Sequence, residues 1–188
     1  IHEALRNTTL ESPKKLYVGH LESIIISERI AKSNISELFD FILRDPEITK
    51  DANILMIKDA SINEVMSIIT PLESIPAESI KSSIEVASKI QGSVNNIPFD
   101  EFAATIIETG IDPVIPLITI KENKSDNKKV NPEKRIVMSK ELAMFSREKF
   151  VGYLNRDAAF GYNIALNNVN ENVISFKCDK NNYASIEL

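Results

Sequence analysis

The sequence predicts a mixed α and β fold, in which a layered α/β first domain is followed by a small, β-rich α+β second domain. Short apolar, β-branched segments alternate with amphipathic helical patterns up to residue 120, and two hairpin-like patterns follow after residue 135. With 188 residues, of which 43% are hydrophobic, the chain is long enough to bury a core. We place the domains at residues 1–120 and 135–188, joined by a mobile linker or loop at 121–134.

The first half of the first domain is predicted to alternate strands with helices. An extended segment over 16–27 leads to a helix that Asn34 caps and Pro46 ends, because proline disfavours helical geometry in the residue before it. A strand follows over 53–58. Ser61 and Glu64 then form a capping-box pattern that opens a helix. Its apolar positions, expected to face inward, are Ile62, Val65, Met66 and Ile69.

Two further helices and a strand complete the first domain. The helix after Pro76 is expected to bury Ile80, Ile84, Ala87 and Ile90 and to stop where Gly92 supplies a positive φ. The helix that begins at Pro98 carries Phe102, Ile106 and Ile107 and closes at Gly110. Residues 112–120 predict a strand, but Pro116 cannot donate a hydrogen bond to a ladder, which indicates a sheet edge or a bulge. We favour the edge.

The second domain is predicted from two hairpins and one helix. Residues 121–134 are rich in Lys, Asn, Asp and Ser, with Val130 as the single apolar residue, so they cannot support a core. Residues 141–145 and 150–154 frame a polar turn, and Asn155 is placed to cap a helix toward Leu166. Residues 173–178 and 183–188 alternate like a second hairpin.

Composition excludes several classes of function. The net charge of −5, without a cationic cluster, argues against a nucleic-acid partner. Cys178 is the single cysteine, and His2 and His20 lie on different predicted elements, so neither a disulfide nor a zinc site is indicated. Five glycines form no phosphate loop, and no apolar run reaches the roughly 18 residues of a membrane span. We expect no cofactor.

The residues that could carry chemistry each have a structural interpretation that we prefer. His20 could be a general base, but it lies in an extended segment and fits a hydrogen-bonded structural histidine. Cys178 alternates with apolar residues, which favours a buried thiol over a nucleophile. Asp45 and Glu47 flank Pro46 as a turn would place them. Arg44 is expected to pair with one of those carboxylates or to cap helix carbonyls.

Four stretches of the sequence resemble the Ger(x)C family of spore germination lipoproteins. Residues 19–32 (GHLESIIISERIAK) and 39–48 (FDFILRDPEI) are similar to that family's glycine-histidine and arginine-aspartate-proline-glutamate blocks. Residues 54–60 (ILMIKDA) resemble the following strand, and residues 143–145 together with 149–154 resemble a later hairpin. Three residues depart from the family pattern: Ser27 replaces an expected glycine, Thr49 a basic residue and Tyr153 a tryptophan.

The resemblance implies a non-enzymatic lipoprotein, the C subunit of a nutrient germinant receptor, that assembles with A and B membrane subunits on the outer face of the spore inner membrane. Family members carry a lipid anchor upstream and a third domain downstream. We expect both to be absent from this chain, which begins at Ile1. No catalytic, cofactor or metal residue follows from the resemblance. Its motifs supply a candidate docking or fold-determining turn, Arg44, Asp45, Pro46 and Glu47, and the structural residues Gly19, His20, Glu28 and Gly152.

Two other classes of function compete with an assembly subunit. A solute-binding domain would hold a nutrient directly between its two halves, which requires a cleft with convergent polar groups. A hydrolase would use Asp45 or Glu47, but the sequence shows no positioned nucleophile or metal set to accompany them.

Overall fold

The computed structural model describes residues 18–33, 35–68, 76–108, 110–122 and 134–169, the backbone of 173–178 and 182–187, and isolated helical positions at 3, 7 and 10. Within these ranges the strands are β1 (Ser23–Ser27), β2 (Asn53–Ile57), β3 (Val114–Glu122), β4 (Lys134–Ser146), β5 (Lys149–Leu154), β6 (Val173–Cys178) and β7 (Asn182–Glu187). The helices are α1 (Glu28–Lys32), α2 (Ile35–Arg44), α3 (Ile62–Met66), α4 (Pro76–Ile90), α5 (Phe99–Ile107) and α6 (Arg156–Ala165).

A single five-stranded sheet organises the described chain, in the order β1-β2-β3-β4-β5. The first three strands are parallel, because helical crossovers connect them, and β4 and β5 add antiparallel neighbours. Strands β6 and β7 form a separate antiparallel pair. The mixed α and β class is therefore confirmed.

The apolar residues of the parallel strands divide between two cores because successive side chains point to opposite faces of the sheet. Ile26, Ile54 and Met56 belong to the larger core, under α1, α2, α5 and α6. Leu55 and Ile57 belong to the smaller core, under α3 and α4. All five residues of β2 are buried, as a strand covered on both faces requires.

A chain of aromatic rings crosses the larger core from α2 to the edge of the sheet. Phe39 packs edge-on against Phe99 at 5.2 Å and Phe102 at 5.3 Å between ring centroids. The chain continues from Phe102 to Phe145 at 5.6 Å, from Phe145 to Phe150 at 5.6 Å and from Phe150 to Tyr153 at 5.2 Å. The edge-to-face arrangement is the one that aromatic quadrupoles favour, and it connects α2 and α5 to the β4–β5 hairpin.

The sheet runs across the boundary predicted at 121–134. Lys121 and Glu122 lie in β3, Lys134 begins β4, and residues 123–133 lie outside the described part of the chain. Strands β4 and β5, assigned to the second domain, pair with β3 of the first. The division into two domains stays a prediction about folding units, while the sheet itself is shared.

The predicted edge position of Pro116 is wrong. Strand β3 is the middle strand of five, and the ladder to β4 is irregular between Pro116 and Ile118. The bulge, which was the alternative, removes the proline from the regular ladder and allows it inside the sheet.

The predicted positive φ at Gly92 is also wrong. Among the described glycines, Gly110 and Gly152 have a positive φ and Gly92 does not. Instead, a Cβ atom on Gly92 would lie 2.8 Å from Cε2 of Phe160 in α6. The carbonyl of Gly92 accepts a 2.8 Å hydrogen bond from the Asn163 amide, so this glycine allows α6 to approach the chain closely.

The helical patterns predicted the buried positions only in part. The capping box is confirmed, since Glu64 N–H donates to Ser61 Oγ at 3.1 Å and Ser61 N–H to the Glu64 carboxylate at 2.9 Å. The Asn155 cap is confirmed by a 2.9 Å bond from Ala158 N–H. Asn34 and Ile69 lie outside the described residues. Three residues expected inward, Ile62, Met66 and Ile90, are exposed, and Ile107 at the end of α5 is exposed as well.

Replacing Gly92 with alanine should destabilise the protein. The new methyl group would overlap the Phe160 ring, and overpacking of this kind costs about 1–3 kcal/mol. Gly161→Ala is the matched control, since a Cβ at that helical position meets nothing within 4 Å and alanine favours a helix by roughly 0.5–1 kcal/mol. Urea unfolding midpoints measure both changes. A Gly92→Ala protein as stable as wild type would contradict the proposed close approach.

Candidate functional site

The turn after α2 contains the Arg44, Asp45, Pro46 and Glu47 block. Asp45 N–H completes the last turn of the helix by donating to the Phe41 carbonyl at 3.1 Å. The Asp45 carboxylate then accepts the Glu47 N–H at 2.9 Å, which closes an Asx turn around Pro46. The predicted turn chemistry of Asp45 is therefore observed.

The arginine of this block pairs with a different carboxylate from those predicted. Arg44 Nε donates to the Asp40 carboxylate at 2.6 Å, one helical turn back, and the two side chains are 80% and 60% exposed. Residues four apart lie on the same helix face, which brings Arg44 to Asp40. An exposed pair of this kind contributes little stability, so the arginine remains available at the surface.

Lys50 stabilises the turn, and sequence reasoning missed it. Its ammonium donates to the carbonyls of Asp45 at 2.5 Å and Ile48 at 2.7 Å. A lysine soon after a helix end commonly satisfies free carbonyls, so its position after Pro46 was the available signal. The backbone from Arg44 to Lys50 is thereby held in one conformation.

Replacing Asp45 with alanine should test whether the turn determines the fold. The change removes the acceptor for Glu47 N–H and should lower the free energy of unfolding by about 0.5–1.5 kcal/mol. Asp45→Asn keeps the acceptor oxygen and should lose less than half of that. Urea unfolding gives both values, and equal losses in the two variants would show that the negative charge is what matters.

A polar cleft of ≈ 450 Å³ contains Gly19 and His20 at the amino ends of β1 and β2. Lys81 of α4 extends to the Glu22 carboxylate at 3.0 Å. That hydrogen bond, together with the negative charges of Glu22, Glu85 and Asp51, raises the pKa of Lys81. His20 is exposed in the turn before β1. Its predicted structural role stays a prediction.

The other two motif residues lie apart in the sheet, Glu28 directly after β1 and Gly152 within β5. Glu28 begins α1 after Ser27, whose hydroxyl accepts the Ile30 N–H at 3.4 Å and so caps the helix where glycine was expected. Gly152 has φ 154°, a value that favours glycine, beside the register shift between β4 and β5. Its neighbour Tyr153 is close enough to Glu28 for the charge of that carboxylate to raise the pKa of its phenol.

Tyr153 is the centre of a charged cluster built from both halves of the chain. Burial raises the pKa of its phenol far above the ordinary value, and the Glu28 carboxylate adds to that shift. Lys58 lies 4.3 Å from the Tyr153 ring centroid and forms a 2.5 Å ion pair with Glu141. A 2.6 Å bond from Lys32 lowers the pKa of Glu28, so both carboxylates of the cluster have a cationic partner.

A second cleft, of ≈ 250 Å³, lies between α5 and α6 and is lined by both halves of the chain. Asn95 and Glu101 line it from the first half and Tyr162 from the second. The Tyr162 hydroxyl donates to the Asp112 carbonyl at 2.8 Å, and burial raises the pKa of that phenol to about 12. Burial in the cleft, reinforced by Asp100, also raises the pKa of Glu101.

The described residues contain neither a metal site nor a membrane-spanning helix. No group of three histidine, cysteine, aspartate or glutamate side chains within those ranges is arranged to hold a metal ion. None of the helices described above is both long and apolar enough to cross a membrane. Cys178 ends β6, where the backbone alone is described.

The fold defines a mixed α/β protein with a shared sheet, and sequence comparison supplies the family. Residues 1–120 match the family described as "Spore germination protein N-terminal domain". Residues 140–188 match "Spore germination B3/GerAC like, C-terminal". The chain therefore belongs to the GerAC family of spore germination proteins, as the resemblance of its motifs predicted.

Relatives with known names agree with this assignment. Spore germination protein KC of Bacillus subtilis (strain 168) is 25% identical over 185 residues, covering 93% of this chain and 45% of the relative. Putative spore germination protein YfkR of the same organism is 24% identical over 128 residues, covering 68% and 32%. The crystal structure of the GerBC protein superposes with a TM-score of 0.57 at 15% identity, covering 96% of this chain and 48% of GerBC. The chain thus spans about half the length of the proteins KC and GerBC.

Proposed function

We propose that this chain is part of the C subunit of a nutrient germinant receptor and that it acts in spore germination by assembly, without catalysis. The observation that carries the proposal is the match of both family domains in chain order, at 1–120 and 140–188. The proposed partners are the A and B membrane subunits of the receptor. The proposed location is the outer face of the spore inner membrane, through a lipid anchor on the full-length protein.

Partner contacts should add to that anchoring. A single acyl chain binds a bilayer only marginally, so a singly anchored subunit needs a second attachment to stay in place. The shared sheet and the aromatic chain from Phe39 to Tyr153 support a scaffold that keeps its shape while it docks. A signal would pass as a small shift in how that scaffold docks.

The turn from Arg44 to Glu47 is the proposed docking element. Hydrogen bonds to Asp45 and from Lys50 hold its backbone, and Arg44 is 80% exposed beside it. An exposed charge on a fixed backbone can steer and orient a partner at little entropic cost. The Asp45 carboxylate accepts the Glu47 N–H, which favours a structural role over acid-base catalysis.

Charge reversal at Arg44 should weaken receptor assembly. We expect Arg44→Glu to reduce binding to the soluble domain of a cognate A subunit by about threefold to tenfold at modest salt, as the loss of an exposed ion pair and its replacement by repulsion imply. A pull-down with a concentration series measures this. Lys89→Glu, the same charge change on the exposed face of α4, is the control and should bind as wild type does.

The same variant can be tested by the germination of spores that carry it in the full-length protein. Arg44→Glu should slow nutrient-triggered germination while unfolding by urea stays unchanged. Among the described residues Arg44 pairs with Asp40, and that exposed pair contributes little stability. If folding and germination are both unaffected, the turn is not the docking element.

A solute-binding domain is the second candidate, and the cleft between α5 and α6 favours it. That cleft is lined by polar groups from both halves, including Asn95, Glu101 and Tyr162. Its ≈ 250 Å³ lies below the roughly 300–1,000 Å³ of most ligand sites, so it would admit only a small solute. Calorimetry with amino acids and sugars decides the question. Saturable heat that Glu101→Gln abolishes would establish this function in place of pure assembly.

A further inference from the structure

A groove between α2 and α5 opens on the surface of the larger core. It is lined by the buried Phe39 and Ala103, by the apolar Leu43, Ile106 and Ile107, and by Glu148 of the β4–β5 turn. Its volume is ≈ 470 Å³. A second cleft of ≈ 760 Å³ lies on the other side of Ile106 and Ile107 and is also bounded by Glu148. The two clefts therefore share one apolar ridge.

Two apolar side chains that line the groove, one on α5 and one on α2, are far more exposed than the residues beneath them. Ile107 is 81% exposed and Leu43 is 49% exposed, whereas Phe39 and Ala103 beneath them are buried. A grouped, exposed apolar surface beside a groove is the usual mark of a binding site in a soluble domain. Burying Ile107 and Leu43 against a partner would recover the hydrophobic free energy that the isolated chain forgoes.

Carboxylates surround this apolar surface. Glu37, Asp40 and Glu148 line the groove, and Glu108 and Asp112 line the adjoining cleft. Among the residues that line the two clefts Arg147 is the one cation, and Arg44 pairs with Asp40. The Ser36 hydroxyl donates to Glu148, which holds that carboxylate at the end of the groove. The rim therefore carries a negative charge around an apolar centre.

We propose that the α2–α5 groove binds an amphipathic segment of a partner protein that presents apolar side chains flanked by lysine or arginine. The apolar side chains would cover Ile107 and Leu43, and the basic flanks would meet Asp40 and Glu148 at the edge of the groove. The charge argues against two other occupants. A second copy of this chain, with a net charge of −5, and an anionic lipid surface would both bring like charges to the rim.

This inference rests on the proposed function, which identifies the partner as a receptor subunit. The Arg44 turn continues directly from α2, so the groove and the turn offer one continuous surface. The turn would supply orientation through an exposed charge, and the groove would supply the apolar contact from which most binding free energy comes.

A pair of designed peptides tests the groove on the purified chain. One is an amphipathic helix with leucines at i, i+3 and i+7 and lysine flanks, and the other has the same leucines with glutamate flanks. We expect the lysine-flanked peptide to bind at least tenfold more tightly by fluorescence anisotropy, with an affinity that falls as salt is added. Equal binding of the two peptides would overturn the proposal.

Two variants locate the binding, each with a matched control. Ile107→Asp should weaken the lysine-flanked peptide at least tenfold, while Val86→Asp, at a 57% exposed position on α4, should not. Glu148→Lys should reduce the preference for lysine flanks, while Glu78→Lys on α4 should leave it unchanged. If the controls weaken binding as much as the groove variants do, the peptide binds elsewhere and the proposal fails.

The full-length protein in spores separates this inference from the proposed function. Loss of A-subunit binding and of germination in Ile107→Asp, but not in Val86→Asp, supports both the groove and the assembly function. Normal assembly of both variants, with the Arg44→Glu defect retained, overturns the groove and leaves the assembly function standing. Normal germination in spores that lack the whole protein overturns the proposed function itself. If the wild-type chain self-associates or binds vesicles more strongly than Ile107→Asp does, a second copy or a lipid surface occupies the groove. The proposal of a partner segment then fails.

Discussion

The pairing of β3 with β4 is the interaction on which the rest of this structure depends. It joins three parallel strands to an antiparallel hairpin, so that residues from both halves of the chain share one sheet. Without it, Phe145 and Phe150 would not continue the aromatic chain that starts at Phe39. A bulge at Pro116 allows this pairing, because a proline in a regular central ladder would leave a carbonyl without a donor.

The shared sheet also explains why the motif residues meet. Glu28 follows β1 and Tyr153 lies in β5, at opposite ends of the strand order, yet the charge of the Glu28 carboxylate contributes to the raised pKa of the Tyr153 phenol. Helix α1 spans this distance by packing across the larger core, where Lys32 lies 6.0 Å from the Phe150 ring centroid. The cluster therefore forms only when the two halves of the chain pack together, which fits a structural role for these motif residues.

The surface offered to a partner combines two kinds of feature that arise at different levels of structure. The Arg44 turn is local, since its hydrogen bonds join residues no more than five positions apart. The neighbouring groove is not, because it needs α2, α5 and the β4–β5 turn to be brought together by the core. A rigid local element beside a tertiary groove is an arrangement suited to docking, in which charge orients and apolar contact binds.

The sequence by itself determined the features that depend on near neighbours: the alternation of strands and helices, the Ser61–Glu64 capping box, the Asn155 cap and the turn at Pro46. Each is decided by hydrogen bonds or steric limits within a few residues, which the order of amino acids states directly. The place of β3 in the middle of the sheet, the close approach at Gly92, the meeting of Glu28 with Tyr153 and the exposure of Ile107 were decided only by the tertiary structure. They depend on which distant segments pack together, and the free energy that selects that packing is spread over the whole core.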